Sequence, residues 1–351
     1  MGAGSSKIFG MKKKRLILIL IIPMGLLIPW GFATYLVGRT RYPDLIARMQ
    51  PIYLGTGTAN DSIDVCWRSN SQALVSVYTD GKTTSIRYLN LEIGRDGKAR
   101  EQPLPEPAAT LLHSGNMPPA ISANGNYFVV CNLKGDTRTF TEYDMAGKQL
   151  CQTVGRDADM AELYIAPNGP LWIEAIVGQS GRPQEYSYRV HQPGKADINV
   201  RSTESGFPEG INSRGEVVIF ETAYLAARLD CLTYRSLTHE GETRRVELKL
   251  PNRVMVRQIV FSPINDDVLL LGTIPRENVF KLPTLRKIGF LARMKTPEQT
   301  VLFRMKQDGS GLTALGGVPM QYAGSISASW MPDGKRFSIC SGTQIFVGNA
   351  F

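Results

Sequence analysis

Residues that carry out chemistry are scarce in this chain. It holds three histidines, His113, His191 and His239, and five widely spaced cysteines, Cys66, Cys131, Cys151, Cys231 and Cys340. No H-x-x-x-H or C-x-x-C pair occurs, so the spacings that build zinc sites are missing. Gly178-Gln179-Ser180-Gly181 falls short of the G-x-S-x-G turn that presents a nucleophilic serine. No catalytic residue, metal ligand or cofactor is assigned, and the expectation is a protein that is not an enzyme.

Acidic residues are missing from the front of the chain. Residues 1–42 carry seven Lys and Arg and no Asp or Glu, so the net charge of +9 falls to about +2 for the remainder. The basic excess is therefore local. No RNA- or DNA-binding motif accompanies it, and nucleic acid is not expected as a partner.

That basic front end flanks a long run without charge, Leu16–Val37. Its 22 residues would span about 33 Å as a helix, enough for a bilayer core. Lys12, Lys13, Lys14 and Arg15 precede it, which places the N-terminus in the cytoplasm and the rest outside. The reading is a cytoplasmic basic segment over 1–15, one transmembrane helix over 16–38 and a juxtamembrane linker over 39–50. The alternative is a cleaved signal peptide, against which stand the length of the run and the lack of a small-x-small cleavage site. Pro23, Gly25, Pro29 and Gly31 lie inside the span. Prolines kink a helix and small residues let helices approach closely, so these four are candidate positions for packing against another membrane subunit.

The remainder, 51–351, repeats one phrase six times: an apolar strand end, a tight polar turn and a second apolar run. The strand ends are Trp67, Ile121, Ile165, Ile211, Phe261 and Trp330, separated by 54, 44, 46, 50 and 69 residues. The turns are rich in Ser, Pro, Asn, Asp and Gly, the residues that supply turn dihedrals. A second landmark, a hairpin with glycine near its tip, follows in five copies at Gly97, Gly147, Gly194, Gly241 and Gly309. Two landmarks recurring in phase make each unit four strands, and six units make an all-β six-bladed β-propeller of four-stranded antiparallel blades. The sixth unit runs out of chain after three strands. Its missing outer strand is expected from Ile52–Gly55, which would close the ring and remove a long unpaired edge. Cys131 and Cys340 each lie ten residues after their landmark and read as small buried apolar residues.

Trp330-Met-Pro-Asp-Gly-Lys-Arg and Phe303-Arg-Met-Lys-Gln-Asp-Gly-Ser-Gly-Leu resemble the WD40-like repeats of TolB-type β-propellers, most clearly in the last two blades. The separate N-terminal α/β domain of that family has no counterpart in residues 1–50. The resemblance implies a fold and not a chemistry.

The fifth step is the longest because of an insertion at about 274–298. From Arg276 to Glu298 it holds six basic and two acidic residues. Phe280, Leu285, Arg286, Lys287, Phe290, Arg293 and Lys295 interleave apolar and cationic groups, as in a segment that lies on a membrane or docks a partner. The function expected from these features is a membrane-anchored, extracytoplasmic scaffold or accessory subunit of a larger membrane complex. Two alternatives stand beside it. One is a metal-dependent hydrolase or lactonase in the propeller channel, for which Asp64, Glu162 and Glu209 are the acidic candidates. The other is a glycan- or cell-wall-binding module.

Overall fold

The computed structural model describes residues 42–350, apart from 56–60, 80–84, 116, 136, 157–160, 168, 178–185, 202–206, 222–229, 237–241, 252–253, 275–297 and 319–325. The expected span and nearly all of the insertion lie outside the described residues. Among those described, no helix is long and apolar enough to cross a membrane.

Six four-stranded sheets form the blades. Blade 1 comprises β2 (Asp61–Trp67), β3 (Gln72–Thr79), β4 (Ser85–Ile93) and β5 (Ala99–Gln102). Blade 2 comprises β6 (Ala120–Ile121), β7 (Tyr127–Lys134), β8 (Thr137–Asp144) and β9 (Gln149–Arg156). Blade 3 comprises β10 (Ala161–Ile165), β11 (Trp172–Val177), β12 (Tyr186–His191) and β13 (Ile198–Arg201). Blade 4 comprises β14 (Phe207–Ile211), β15 (Glu216–Glu221), β16 (Asp230–Ser236) and β17 (Thr243–Leu248). Blade 5 comprises β18 (Met255–Phe261), β19 (Asp267–Ile274), β20 (Gln299–Lys306) and β21 (Thr313–Val318). Blade 6 comprises β22 (Ile326–Trp330), β23 (Arg336–Ser341) and β24 (Gln344–Asn349), completed by β1 (Gln50–Leu54).

Every first landmark is the last residue of an innermost strand, and every glycine hairpin joins a third strand to a fourth. The turn chemistry explains the recurrence. Asp333 Oδ1 accepts from the backbone N–H of Lys335 and of Arg336, both at 2.9 Å, and Gly334 takes φ +60° beside it. Asn212 Oδ1 does the same for Arg214 and Glu216 at 3.0 and 2.9 Å. Side-chain oxygens thus satisfy donors that the tight turn leaves free. The second strand of each blade is covered on both faces by its neighbours, which is why it reads as a continuous apolar run. Val268, Leu269, Leu270 and Leu271 on β19 are all buried.

The ring closes as expected, with the strand starting two residues earlier. β1 pairs antiparallel with β24, Gln50 against Val347 and Leu54 against Gln344, with a bulge between Pro51 and Tyr53. Within the stretch assigned to the linker, the described part is folded. A 3-10 turn, Ile46–Arg48, tucks Leu45, Ile46 and Met49 into a core with Trp330, Phe337 and Phe346. Trp67 Nε1 donates to Ser338 Oγ at 2.9 Å and Trp330 Nε1 to the Val260 carbonyl at 3.0 Å, so each landmark tryptophan pins its blade to the preceding one around the ring. Between blades 1 and 2, a short helix α1 (Ala108–Leu112) packs Ala108 and Leu112 against Leu74 and Phe128.

Candidate binding site in the seam between blades 2 and 3

Of the acidic channel candidates, Asp64 lies on β2, Glu162 on β10 and Glu209 on β14, all innermost strands. Only the Asp64 side chain is among those described. It is open to water, yet the strands around it crowd its carboxyl and hold its pKa above the usual carboxylate range, with the Ser327 hydroxyl pulling the other way. Among the described residues, no group of three or more His, Cys, Asp or Glu is placed to hold a metal ion.

Polar groups gather instead where blade 2 faces blade 3. The two-residue period of a strand puts Arg138, Phe140 and Glu142 of β8 on one face. That face meets Trp172, whose ring lies 5.6 Å from that of Phe140. Glu142 is fully buried, and among the described residues neither carboxylate oxygen has a hydrogen-bond partner. Burial pushes its pKa up to about 7. The Trp172 indole N–H pulls it down but does not close to hydrogen-bond geometry, so the indole nitrogen is unmatched as well.

His191 stacks on Trp172 at 3.8 Å and is wholly buried. Its Nδ1 lies 2.8 Å from Asp197 Oδ1. A carboxylate accepts, so Nδ1 carries the proton and Nε2 is left as a buried bare acceptor without a partner. Burial lowers the His191 pKa, Asp197 raises it, Arg189 lowers it, and burial prevails. Thr153 on β9 donates to the other Asp197 oxygen at 3.1 Å and ties the two blades together. Arg189 and Glu174 form a pair at 3.3 Å beside Gly155, where a Cβ would come within 3.3 to 3.4 Å of Phe140, Arg189 and Glu174.

At one end of this seam is a cavity of about 180 Å³, open at one side and lined by Met117, Pro118, Pro119, Ala120, Cys131, Arg138, Phe140 and Leu163. Cys131 is buried. Desolvation raises its thiol pKa, Arg138 lowers it, Glu174 raises it, and the outcome is a neutral thiol unsuited to nucleophilic attack. Arg138 is 8% exposed, and its Nε is buried without a partner. This arrangement can bind; nothing in it activates a nucleophile.

Sequence reasoning missed the seam. His191 ends β12 opposite Trp172, three residues before the Gly194 turn. The available signal was Arg138-x-Phe140-x-Glu142, two charges flanking an aromatic on one strand face. Cys131 and Cys340 are buried as expected for small apolar residues, Cys231 is buried as well, and all five cysteines are free thiols. The insertion residues from Phe280 to Lys295 and the span positions Pro23, Gly25, Pro29 and Gly31 lie outside the described residues.

No protein-family model and no curated protein sequence matches the chain. Among solved structures it is similar to a putative TolB from Agrobacterium tumefaciens at 11% identity and a TM-score of 0.43, over 82% of this chain and 90% of that one. It is similar to TolB from Acinetobacter baumannii at 11% identity and a TM-score of 0.39, over 73% of this chain and 53% of that one. A prolyl endopeptidase gives 14% identity and a TM-score of 0.41, over 88% of this chain and 47% of that one. The chain spans about half the length of the latter two.

Proposed function

We propose that this protein is a membrane-anchored, extracytoplasmic β-propeller that serves as a non-enzymatic scaffold or accessory subunit of a larger membrane complex. The observation that carries this reading is the uncharged run Leu16–Val37 behind Lys12–Arg15. Ring closure supports it. Seven residues lie between Val37 and Leu45, the first buried residue of the propeller core. Fully extended they reach about 25 Å, so the ring would be held near the bilayer surface. The basic-apolar insertion, with Phe280, Leu285, Arg286, Lys287, Phe290, Arg293 and Lys295, is the docking element of this reading, and Pro23, Gly25, Pro29 and Gly31 are its contacts within the membrane.

Purification in mild detergent followed by mass spectrometry tests it. A stoichiometric partner is expected, and it should be lost when residues 276–297 are deleted. A protein that washes off membranes in alkaline carbonate would end the anchor reading. A protein that stays in the membrane but purifies alone and monodisperse would end the subunit reading.

A further inference from the structure

The geometry points to the cavity between blades 2 and 3 as a site for a small carboxylate bearing one apolar group, held by Arg138. Three features converge there. Arg138 is more than nine-tenths buried, its Nε is buried without a hydrogen-bond partner, and no ion pair to it is found among the described residues. A guanidinium stays charged at any working pH, and a buried cation without a counter-ion is costly, so the site favours an anion. The side chain lines a cavity of about 180 Å³ that opens at one side, so an anion can reach it.

The walls decide which anion. Met117, Pro118, Pro119, Phe140 and Leu163 offer apolar surface. A single guanidinium fork matches the two oxygens of one carboxylate. A phosphate dianion would need further donors. Glu174, whose charge is felt at Cys131 on the cavity wall, opposes a dianion more strongly than a carboxylate monoanion. The second guanidinium of the seam, Arg189, is already engaged by Glu174 at 3.3 Å. The volume is that of roughly six waters, which limits the occupant to a carboxylate plus one side-chain-sized group. A free apolar acid and the C-terminal residue of a peptide share this chemistry.

The proposal is independent of the scaffold reading, because it concerns the propeller and not the anchor or the insertion. The test uses the full chain in detergent, labelled with methyl-13C methionine, with Met117 assigned through Met117→Leu. Titration with N-acetyl-leucine is expected to shift the Met117 methyl saturably at roughly millimolar concentration. N-acetyl-leucinamide, lacking the carboxylate, should not. Arg138→Gln should weaken binding about tenfold or more, the worth of a charge-assisted hydrogen bond. Comparing N-acetyl-leucine with a tripeptide ending in free leucine separates the sources, with tighter peptide binding marking a C-terminus and equal or weaker binding a free acid. Equal binding of acid and amide in the unaltered protein would overturn the proposal even if the variant does not fold. So would the absence of a saturable shift, or unchanged affinity in a folded Arg138→Gln.

Discussion

Two seams of this ring are built on opposite lines. Where blade 6 meets its neighbours, the core is a broad apolar cluster that includes Leu269, Leu302, Trp330, Phe337 and Phe346. Several of its polar groups find partners across the joint. Gln258 accepts from the Ala328 N–H at 2.8 Å and donates to the Ala328 carbonyl at 3.3 Å, and both landmark tryptophans donate to the blade next door. Where blade 2 meets blade 3, the buried cluster among the described residues is Val129, Cys131, Phe140 and Trp172, with Leu163 and Ile165 packed against it. Around it Glu142, Trp172 Nε1, His191 Nε2 and Arg138 Nε have no hydrogen-bond partners among the described residues. A fold tolerates unmatched buried polar groups at a cost, and tends to keep them where they serve a purpose. One seam is closed largely by matched contacts, and the other leaves several buried polar groups unmatched.

The contrast can be broken from either side. Phe337→Ala in the blade 6 core should cost about 3–5 kcal/mol, read from a shifted midpoint in chemical denaturation. Gly155→Val should cost about 1–3 kcal/mol by forcing Phe140, Arg189 and Glu174 apart, and should abolish the acid-dependent Met117 shift. The subtlest effect is on pH dependence. Glu142 keeps its proton in the fold up to about pH 7 and loses it near the ordinary carboxylate value when unfolded. The folded state therefore binds more protons between those values, and stability falls as pH rises across that window. Glu142→Gln should flatten this slope and gain on the parent above pH 7. His191 acts in the other direction. Its lowered pKa makes the unfolded state the better proton acceptor below about pH 6.5, so its contribution is lost as pH falls from there. Denaturation midpoints of parent and Glu142→Gln from pH 5 to 9 would show both limbs, and parallel curves for the two proteins would refute the assignment to Glu142.

The period of turns and apolar runs was enough to read the six blades, their strand order and the closing strand. Those features follow from local rules: glycine and Asx turns at Gly334 and Asp333, and second strands such as Val268–Leu271 that are covered on both faces. The seam between blades 2 and 3 was not legible, because burial there comes from blade stacking and not from any one strand. Taken alone, Thr137-Arg-Thr-Phe-Thr-Glu reads as a strand with a solvated face. Only when Trp172 is laid over it do Arg138 and Glu142 become interior residues. His191 is buried for the same reason: it stands just before a hairpin, but its ring partner Trp172 lies on another strand.

The pairing of β1 with β24 has a consequence in time. Thr343 Oγ1 donates to the Gly55 carbonyl across 288 positions of the chain. At about 5–20 residues per second, synthesis separates these two partners by roughly 15–60 seconds. For that interval the first strand has no sheet to join, and blades 1 to 5 must form as an open arc. The last strands made, and not the first, turn that arc into a ring. A chain released early would leave Gln50–Leu54 as a bare edge, open to pairing with other chains.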